Sequence, residues 1–214
     1  MIFNLSDHNT VANQFIAELR DKDIQVDRGK FRKNMKRLGQ IMAYEISKRL
    51  DFKNVQITTP LGVSSLQVPA KHPVLLTILR AGLPYFEGFL DYFDQSDCGF
   101  IGAYREEGRD EVVVQLDYVA VPDVNEREMI LIDPMMATGK SVVNAVQSLL
   151  KHGRPAHIHI AALVAAPEGI DFIRKNIKVS HTIYACALDE NLNQQFYIVP
   201  GLGDAGDLSF GLKL

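Results

Sequence analysis

An α/β fold with a mainly parallel sheet flanked by helices is predicted by three features of the sequence. Apolar runs of strand length recur at residues 74–79, 129–132, 156–166 and 182–188, without the polar alternation of a half-exposed strand. Helical patterns separate them: Phe86, Phe89, Leu90 and Phe93 follow the first run, and Val142, Val143, Val146, Leu149 and Leu150 follow the second. The first two runs end in charged residues, Arg80 and Asp133, at the carboxyl edge where open α/β sheets bind ligands.

A chain of 214 residues and 23.9 kDa suffices for one good core, and a hydrophobic content of 47% is that of an ordinary globular domain, so residues 1–214 are read as a single domain. The net charge of −3 and pI near 6.1 provide no general attraction for nucleic acid or an anionic membrane; any polyanion must be held by a local site. Cys98 and Cys186 stand far apart, with neither the spacing of a zinc site nor a disulfide framework. No signal-peptide pattern opens the sequence, and the longest apolar runs, such as residues 160–166, are too short to span a bilayer. A soluble cytoplasmic protein is expected.

Taken in order, Asp7, His8, Asn9 and Thr10 supply capping chemistry before a helix carrying Val11, Phe15, Ile16 and Leu19. A longer helix is expected over residues 28–50, with Phe31, Met35, Leu38, Met42, Ile46 and Leu50 at helical spacing. Its start gathers Arg28, Lys30, Arg32, Lys33, Lys36 and Arg37, either a nucleic-acid surface or a solvated face. The solvated face is preferred, because Phe31 belongs to the buried stripe and no other aromatic side chain interleaves the charges. Residues 55–59 and 63–68 read as strands around Pro60-Leu61-Gly62, a β-hairpin arm appended to the core sheet.

The run at 74–79 delivers Arg80-Ala81-Gly82. An arginine there is costly unless it meets an anion; its forked donors match phosphate oxygens, so a diphosphate is one reading and a salt bridge to a neighbouring carboxylate the other. A core-facing helix follows Pro84. The strand at 100–104 leads into Arg105-Glu106-Glu107-Gly108-Arg109-Asp110, a charged segment of the kind that closes over phosphate substrates as a lid. Spacing makes Arg105 and Arg109 equal candidates. Residues 112–121 read as an edge or hairpin strand, and Pro122-Asp123-Val124-Asn125 as the turn after it.

The chain is organised around residues 129–141, MILIDPMMATGKS. The apolar run stops at Asp133, and Pro134 cannot donate to a sheet ladder. Ala137-Thr138-Gly139-Lys140-Ser141 then opens a helix, where free backbone N–H groups beside the positive end of the dipole make an anion site. Gly139-Lys140-Ser141 imitates the end of a nucleotide-triphosphatase P-loop, but that motif needs a glycine where Pro134 stands. A short loop of this kind holds one phosphate, and the Asp before it points to sugar hydroxyls on the same ligand. The plainer alternative is an ordinary strand-to-helix turn.

Further along, His157 and His159 share one face of the strand at 156–166, a pair that could bind metal but has no third ligand nearby in sequence. Pro167-Glu168 starts a helix. The strand at 182–188 leads through Asp189-Glu190-Asn191 to a tail containing Gly201, Gly203, Gly206 and Gly211 with Asp204 and Asp207. Low bulk lets its backbone N–H and C=O groups reach a planar base; a disordered end is the alternative, opposed by the apolar anchors Phe196, Ile198, Leu202 and Phe210.

These residues carry a resemblance. The apolar strand, Asp133 and the Ala-Thr-Gly-x-Ser that follows resemble the phosphoribosyl-diphosphate (PRPP) motif of type I phosphoribosyltransferases, and the Asp-Pro-Met-x-Ala-Thr form is similar to that of the uracil phosphoribosyltransferase family. Residues 78–83 (ILRAGL), 164–170 (VAAPEGI) and 197–207 (YIVPGLGDAGD) agree in the expected order.

The resemblance implies a type I phosphoribosyltransferase-like fold with a small C-terminal hood over the carboxyl ends of the strands. It implies uracil and PRPP as substrates, UMP and diphosphate as products, and Mg2+ carried by PRPP, with no protein metal site. Arg80 and Arg105 would contact the diphosphate, and Asp133, Pro134, Met135, Met136, Ala137, Thr138, Gly139, Lys140 and Ser141 would hold the ribose 5-phosphate. Asp204 would contact PRPP, and Ile198, Gly203, Asp204 and Ala205 would receive uracil. Arg80, Arg105 and Asp133 are the implied catalytic residues. A homodimer or higher homo-oligomer and a GTP activator are further expectations, with neither nucleic acid nor membrane as partner.

Three positions depart from the family pattern: Lys140 and Pro84 replace usual glycines, and the lysine expected soon after Tyr118 is missing. They leave two rival readings. One is a uridine-nucleotide-binding regulatory protein of the same fold that binds RNA through residues 28–37; the other is a catalytically decayed homologue.

Overall fold

The structure, a computed structural model, describes residues 2–106 and 113–213, with backbone alone for residues 104–106 and 113–116. A short strand β1 (Ile2–Asn4) precedes helices α1 (Ala12–Arg20) and α2 (Arg28–Ser47). Next come β2 (Phe52–Thr59), β3 (Gly62–Pro69), β4 (Val74–Leu79), α3 (Leu83–Leu90), β5 (Cys98–Glu106), β6 (Val113–Ala120) and β7 (Glu128–Ile132). The chain continues through β8 (Met135–Met136), α4 (Lys140–Leu149), β9 (His157–Ala165), α5 (Pro167–Asn176) and β10 (His181–Leu188). It closes with β11 (Asn191–Leu192), β12 (Ile198–Val199) and α6 (Ala205–Phe210).

The main sheet runs β1-β10-β9-β7-β4-β5-β6, parallel throughout except for β6, which is antiparallel to β5 at the edge. From β4 the chain first builds outward to β5 and β6, then returns to the other side of β4 with β7, β9 and β10. Strand order reverses there, and the crevice outside the carboxyl ends of β4 and β7 is the topological ligand position. Arg80 and Asp133 occupy those two ends.

The apolar runs are buried on both faces because helices cover both. Leu75, Ile130, Ile132, Ala161 and Leu163 pack on one side with Phe31, Met35, Leu38 and Met42 of α2 and with Tyr85, Phe86 and Phe89 of α3. Val74, Leu76, Met129, Leu131, Ile158 and Ile160 face the other way, toward Val142, Val146 and Leu149 of α4 and Ile170 and Ile173 of α5. Alternate residues of each run thus feed separate cores, which accounts for the missing polar alternation. β2 and β3 form their own antiparallel two-stranded sheet, the expected arm, with Phe52, Ile57, Val63 and Leu66 exposed.

One expectation needs extending and one correcting. β7 ends at Ile132, as expected of the run before Asp133, but after Asp133-Pro134 the chain resumes as the two-residue β8, parallel to β9, with Met135 opposite Val164. Pro134 lacks a donor but not an acceptor, and its carbonyl receives the N–H groups of Leu163 and Val164, both at 3.1 Å. Arg105, expected in a mobile loop, lies by its backbone within β5, opposite Val114. Its side chain, and Arg109 with the remainder of residues 107–112, lie outside the described residues.

The paired histidines link strands. His157 exchanges hydrogen bonds with Ser180 Oγ at 2.8 Å and Thr182 Oγ1 at 3.0 Å, while His159 is bonded to Tyr184 Oη at 3.3 Å and Glu128 Oε2 at 2.8 Å. Burial, and secondly the His159 ring 4.7 Å away, hold the His157 pKa below the usual imidazole value. As pH falls through about 6.5, unfolded chain takes up this proton first, so stability present above that pH drains away until folded His157 also titrates. The thermal midpoint is therefore expected to fall less on acidification in His157→Gln than in the native protein; equal slopes would contradict this.

Candidate active site

The carboxyl end of β7 builds the first half of the site. Asp133 is buried, and its backbone N–H donates to the Ala161 carbonyl at 3.0 Å, anchoring the loop on β9. The loop closes tightly: Ala137 N–H donates to Met135 O at 3.0 Å, and Thr138 Oγ1 receives the Lys140 N–H at 3.4 Å. Gly139 is the N-cap of α4, at φ +73°. A side chain there would be strained, and its Cβ would also stand 2.6 Å from the Gly169 carbonyl. The approach is reciprocal, since a Cβ on Gly169 would meet Ala137 O at 2.3 Å and Met136 O at 2.9 Å. The loop therefore rests on the first turn of α5 without a side chain between them, presenting the start of α4 and its dipole to the crevice.

Lys140 is the first residue of α4, in helical conformation. The positive-φ requirement falls on Gly139 instead, so the lysine is compatible with an intact loop. On the assignment of the 5-phosphate to this loop that the resemblance implies, Lys140→Ala is expected to raise KM for PRPP with kcat nearly unchanged, because a phosphate remote from the reacting bond would be held alike in ground and transition states. Steady-state kinetics with PRPP varied would check this; a large fall in kcat would refute it. Pro84, the other departure, is buried in the first turn of α3, where its missing N–H is tolerated.

The second half lies at β4. Thr77 Oγ1 donates to the Ile132 carbonyl at 3.3 Å, tying the ends of β4 and β7 together. The Leu79–Arg80 peptide bond is cis. Arg80 Nη2 donates to Asp207 Oδ1 at 2.9 Å and to the Gly211 carbonyl at 2.8 Å. Thus the salt bridge weighed for Arg80 is present. Its Nε, buried and without a partner among the described residues, remains a spare donor.

Over both halves sits the hood. Asp189, buried at the end of β10, receives both amino groups of Arg20 and the Gly201 N–H at 3.0 Å, while Arg20 also reaches the Gly201 carbonyl at 3.0 Å. β11 pairs with β12, and the Leu192 N–H donates to Glu168 Oε1 at 3.0 Å, joining the hood to α5. Asp204 caps α6 by accepting from the Asp207 N–H at 2.9 Å, and Arg32 holds the Ser209 carbonyl at 2.6 Å. Ile198 and Ala205 are buried, whereas Gly203 and Asp204 are exposed. A Cβ on Gly206 would lie 3.8 Å from Ala81 Cβ, so the tail touches the Arg80-Ala81 turn.

The tail is therefore ordered, although Phe210 is not the anchor expected of it, being 39% exposed. The basic cluster of α2 is largely engaged within the molecule: Lys30 with Glu18, Arg32 with the hood, Lys36 with Asp91, and Arg37 with Asn34 and the Phe15 ring. Arg20, Asp189, Asp207 and Gly169 went unrecognised in the sequence. Asp189 carried a usable signal, an acid at the end of a buried strand like Asp133; nothing local marked Arg20.

A mainly parallel sheet with an Asp-led loop opening a helix and an arginine at its switch point, under a C-terminal hood, is the architecture of the type I phosphoribosyltransferases. A hypoxanthine phosphoribosyltransferase from Staphylococcus aureus has this fold: TM-score 0.51 and 12% identity, over 75% of this chain and 76% of that one. The chain belongs to the uracil phosphoribosyltransferase family, whose model matches residues 5–211. It is 44% identical over 214 residues to the uracil phosphoribosyltransferase of Porphyromonas gingivalis strain W83, covering 100% of this chain and 99% of the relative. Identity to the enzyme of Methanothermobacter thermautotrophicus is 35% over 205 residues, covering 95% and 93%. The AQ2163 protein from Aquifex aeolicus superposes with a TM-score of 0.88 at 29% identity, covering 100% of both chains.

Proposed function

We propose that the protein transfers the 5-phosphoribosyl group of PRPP to uracil, giving UMP and diphosphate in pyrimidine salvage. The observation that carries this is the placement of the loop at residues 133–141 beside Arg80 at the sheet's switch point, in a chain of this family. In this reading, N–H groups of the loop and the first turn of α4 hold the 5-phosphate, and Asp133 accepts from ribose hydroxyls. Asp133 is also the group best placed to favour the positive charge that develops on the ribose ring as the bond to diphosphate breaks. Arg80 and Arg105 neutralise the departing diphosphate, and Asp204 contacts PRPP. Ile198, Gly203 and Ala205 offer backbone groups to the edge of uracil. No covalent nucleophile is required.

Mg2+ enters this scheme as part of the substrate. A hard cation needs several oxygen ligands, and the loop at 133–141 provides one carboxylate, so PRPP's own oxygens are assigned most of the coordination. The fold holds no described helix long and apolar enough to cross a membrane. A cytoplasmic location and activation by GTP remain proposals, the second tested by adding GTP to the assay and looking for a rate increase.

The arm supports a homo-oligomer. Val55 and Leu66 are opposite each other, and Ile57 and Val68 lie on the same face of a two-stranded ribbon that is marginal alone. A second copy is proposed to cover it. Light scattering of Ile57→Lys/Leu66→Lys against the native protein tests this; an unchanged mass would remove the arm from the interface.

The function itself is tested by measuring diphosphate release with each nucleobase. Uracil should be strongly preferred, because cytosine presents a reversed donor pattern and leaves a buried group unpaired. Comparable rates with hypoxanthine would sink the proposal, and so would UMP formation that appears only in Lys140→Gly.

A further inference from the structure

Arg80 is held at one corner. Its Nη2 carries two hydrogens, and both find acceptors on the tail, Asp207 Oδ1 at 2.9 Å and the Gly211 carbonyl at 2.8 Å. The Nε donor beside it is buried and meets no acceptor among the described residues. This donor lies against the tail, 3.9 Å from where a Cβ on Gly206 would stand, so it belongs to the seat of Arg80 in the hood, while the side chain as a whole stays 37% exposed and open to an anion. Asp207 is itself fixed: it lies in the first turn of α6, its N–H is capped by Asp204, and α6 is fastened to α2 by Arg32. The same tail carries Ile198, Gly203 and Ala205, so one segment joins the arginine at β4 to the residues assigned to the base.

Resting on the phosphoribosyl-transfer reading above, we propose that Asp207 is a positioning residue for the reaction. Its carboxylate pins one amino group of Arg80 to the hood, and the guanidinium then meets the diphosphate through its remaining donors. A long side chain released from that contact would sample other rotamers and lose the preorganisation on which electrostatic stabilisation depends. What matters at position 207 is then an acceptor oxygen at the right place and not a negative charge, which by itself would oppose diphosphate binding.

Binding of inorganic diphosphate and of UMP, each measured by calorimetry on native protein, Asp207→Asn and Asp207→Ala, separates these effects. Asp207→Ala should weaken diphosphate binding by about tenfold, the scale of one charge-assisted contact, and leave UMP binding unchanged. Asp207→Asn keeps the acceptor and removes the charge, so it should bind diphosphate at least as tightly as the native protein. Tighter binding in both variants would make Asp207 a competitor of the ligand and overturn the proposal. Equal weakening of diphosphate and UMP in Asp207→Ala would mean general damage to the hood, and no change in either would mean no role; both outcomes also reject it. Native protein that binds diphosphate but forms no UMP from uracil and PRPP would instead defeat the functional reading.

Discussion

Arg80→Ala is expected to lower UMP formation by about tenfold to hundredfold, the kinetic equivalent of losing one charge-assisted contact of roughly 1.5–3 kcal/mol in the transition state. The loss should appear in kcat and in kcat/KM for PRPP, while KM for uracil changes little, because negative charge grows on the departing diphosphate and not on the base. Structural damage is a weak alternative explanation. The Arg80–Asp207 pair is 37% and 30% exposed, and a partly solvated pair contributes at most about 1 kcal/mol to stability. A thermal melt should therefore show a small shift beside a large kinetic effect. Arg80→Lys should recover only part of the activity, since a point charge cannot replace a planar fork held at one corner. Native turnover in Arg80→Ala would remove Arg80 from the mechanism. Arg105 is a separate case: its role comes from the resemblance alone, and Arg105→Ala tests it independently.

Local patterns made most of the fold legible. The buried strands were marked by unbroken apolar runs, the arm by its turn at Pro60-Leu61-Gly62, and α5 by Pro167-Glu168. The loop at residues 133–141 could be found because a strand, an acid, a small-residue turn and a helix are adjacent in sequence. What stayed hidden depends on distant partners. Arg20 meets Asp189 across 169 positions and Arg80 meets Asp207 across 127, and no periodicity encodes such pairs. Pro134 behaves as read, donating nothing while β7 ends at Ile132; what its missing N–H did not reveal is the role of its carbonyl, through which β9 carries the chain into β8. Lys140 seemed to threaten the loop because a family glycine is absent there, yet the backbone places its one left-handed residue a position earlier.

That displacement of the glycine requirement leads to the largest effect expected away from the reacting groups. Gly169 lies on α5, outside the loop, but a Cβ there would stand 2.3 Å from the Ala137 carbonyl and 2.9 Å from that of Met136. These are backbone atoms, fixed by β8 pairing with β9 and by the Ala166 N–H donating to Met136 O at 3.0 Å, so no flexible side chain can move aside. Gly169→Ala must therefore push the loop off α5 or tilt the start of the helix. Overpacking of this kind costs roughly 1–3 kcal/mol, and a displacement of the order of 1 Å in a ligand-positioning loop can cost about a hundredfold in rate. Gly139→Ala approaches the same contact from the other side and adds the strain of φ +73°. Both variants are expected to raise KM for PRPP and lower the thermal midpoint. Because each changes the same interface, their effects should be markedly non-additive in the double variant. Calorimetry and PRPP-dependent kinetics on the two single variants and the double would decide it. Additive losses would show that the two glycines serve separate purposes, and normal PRPP kinetics in Gly169→Ala would show that the loop does not depend on α5 for its shape.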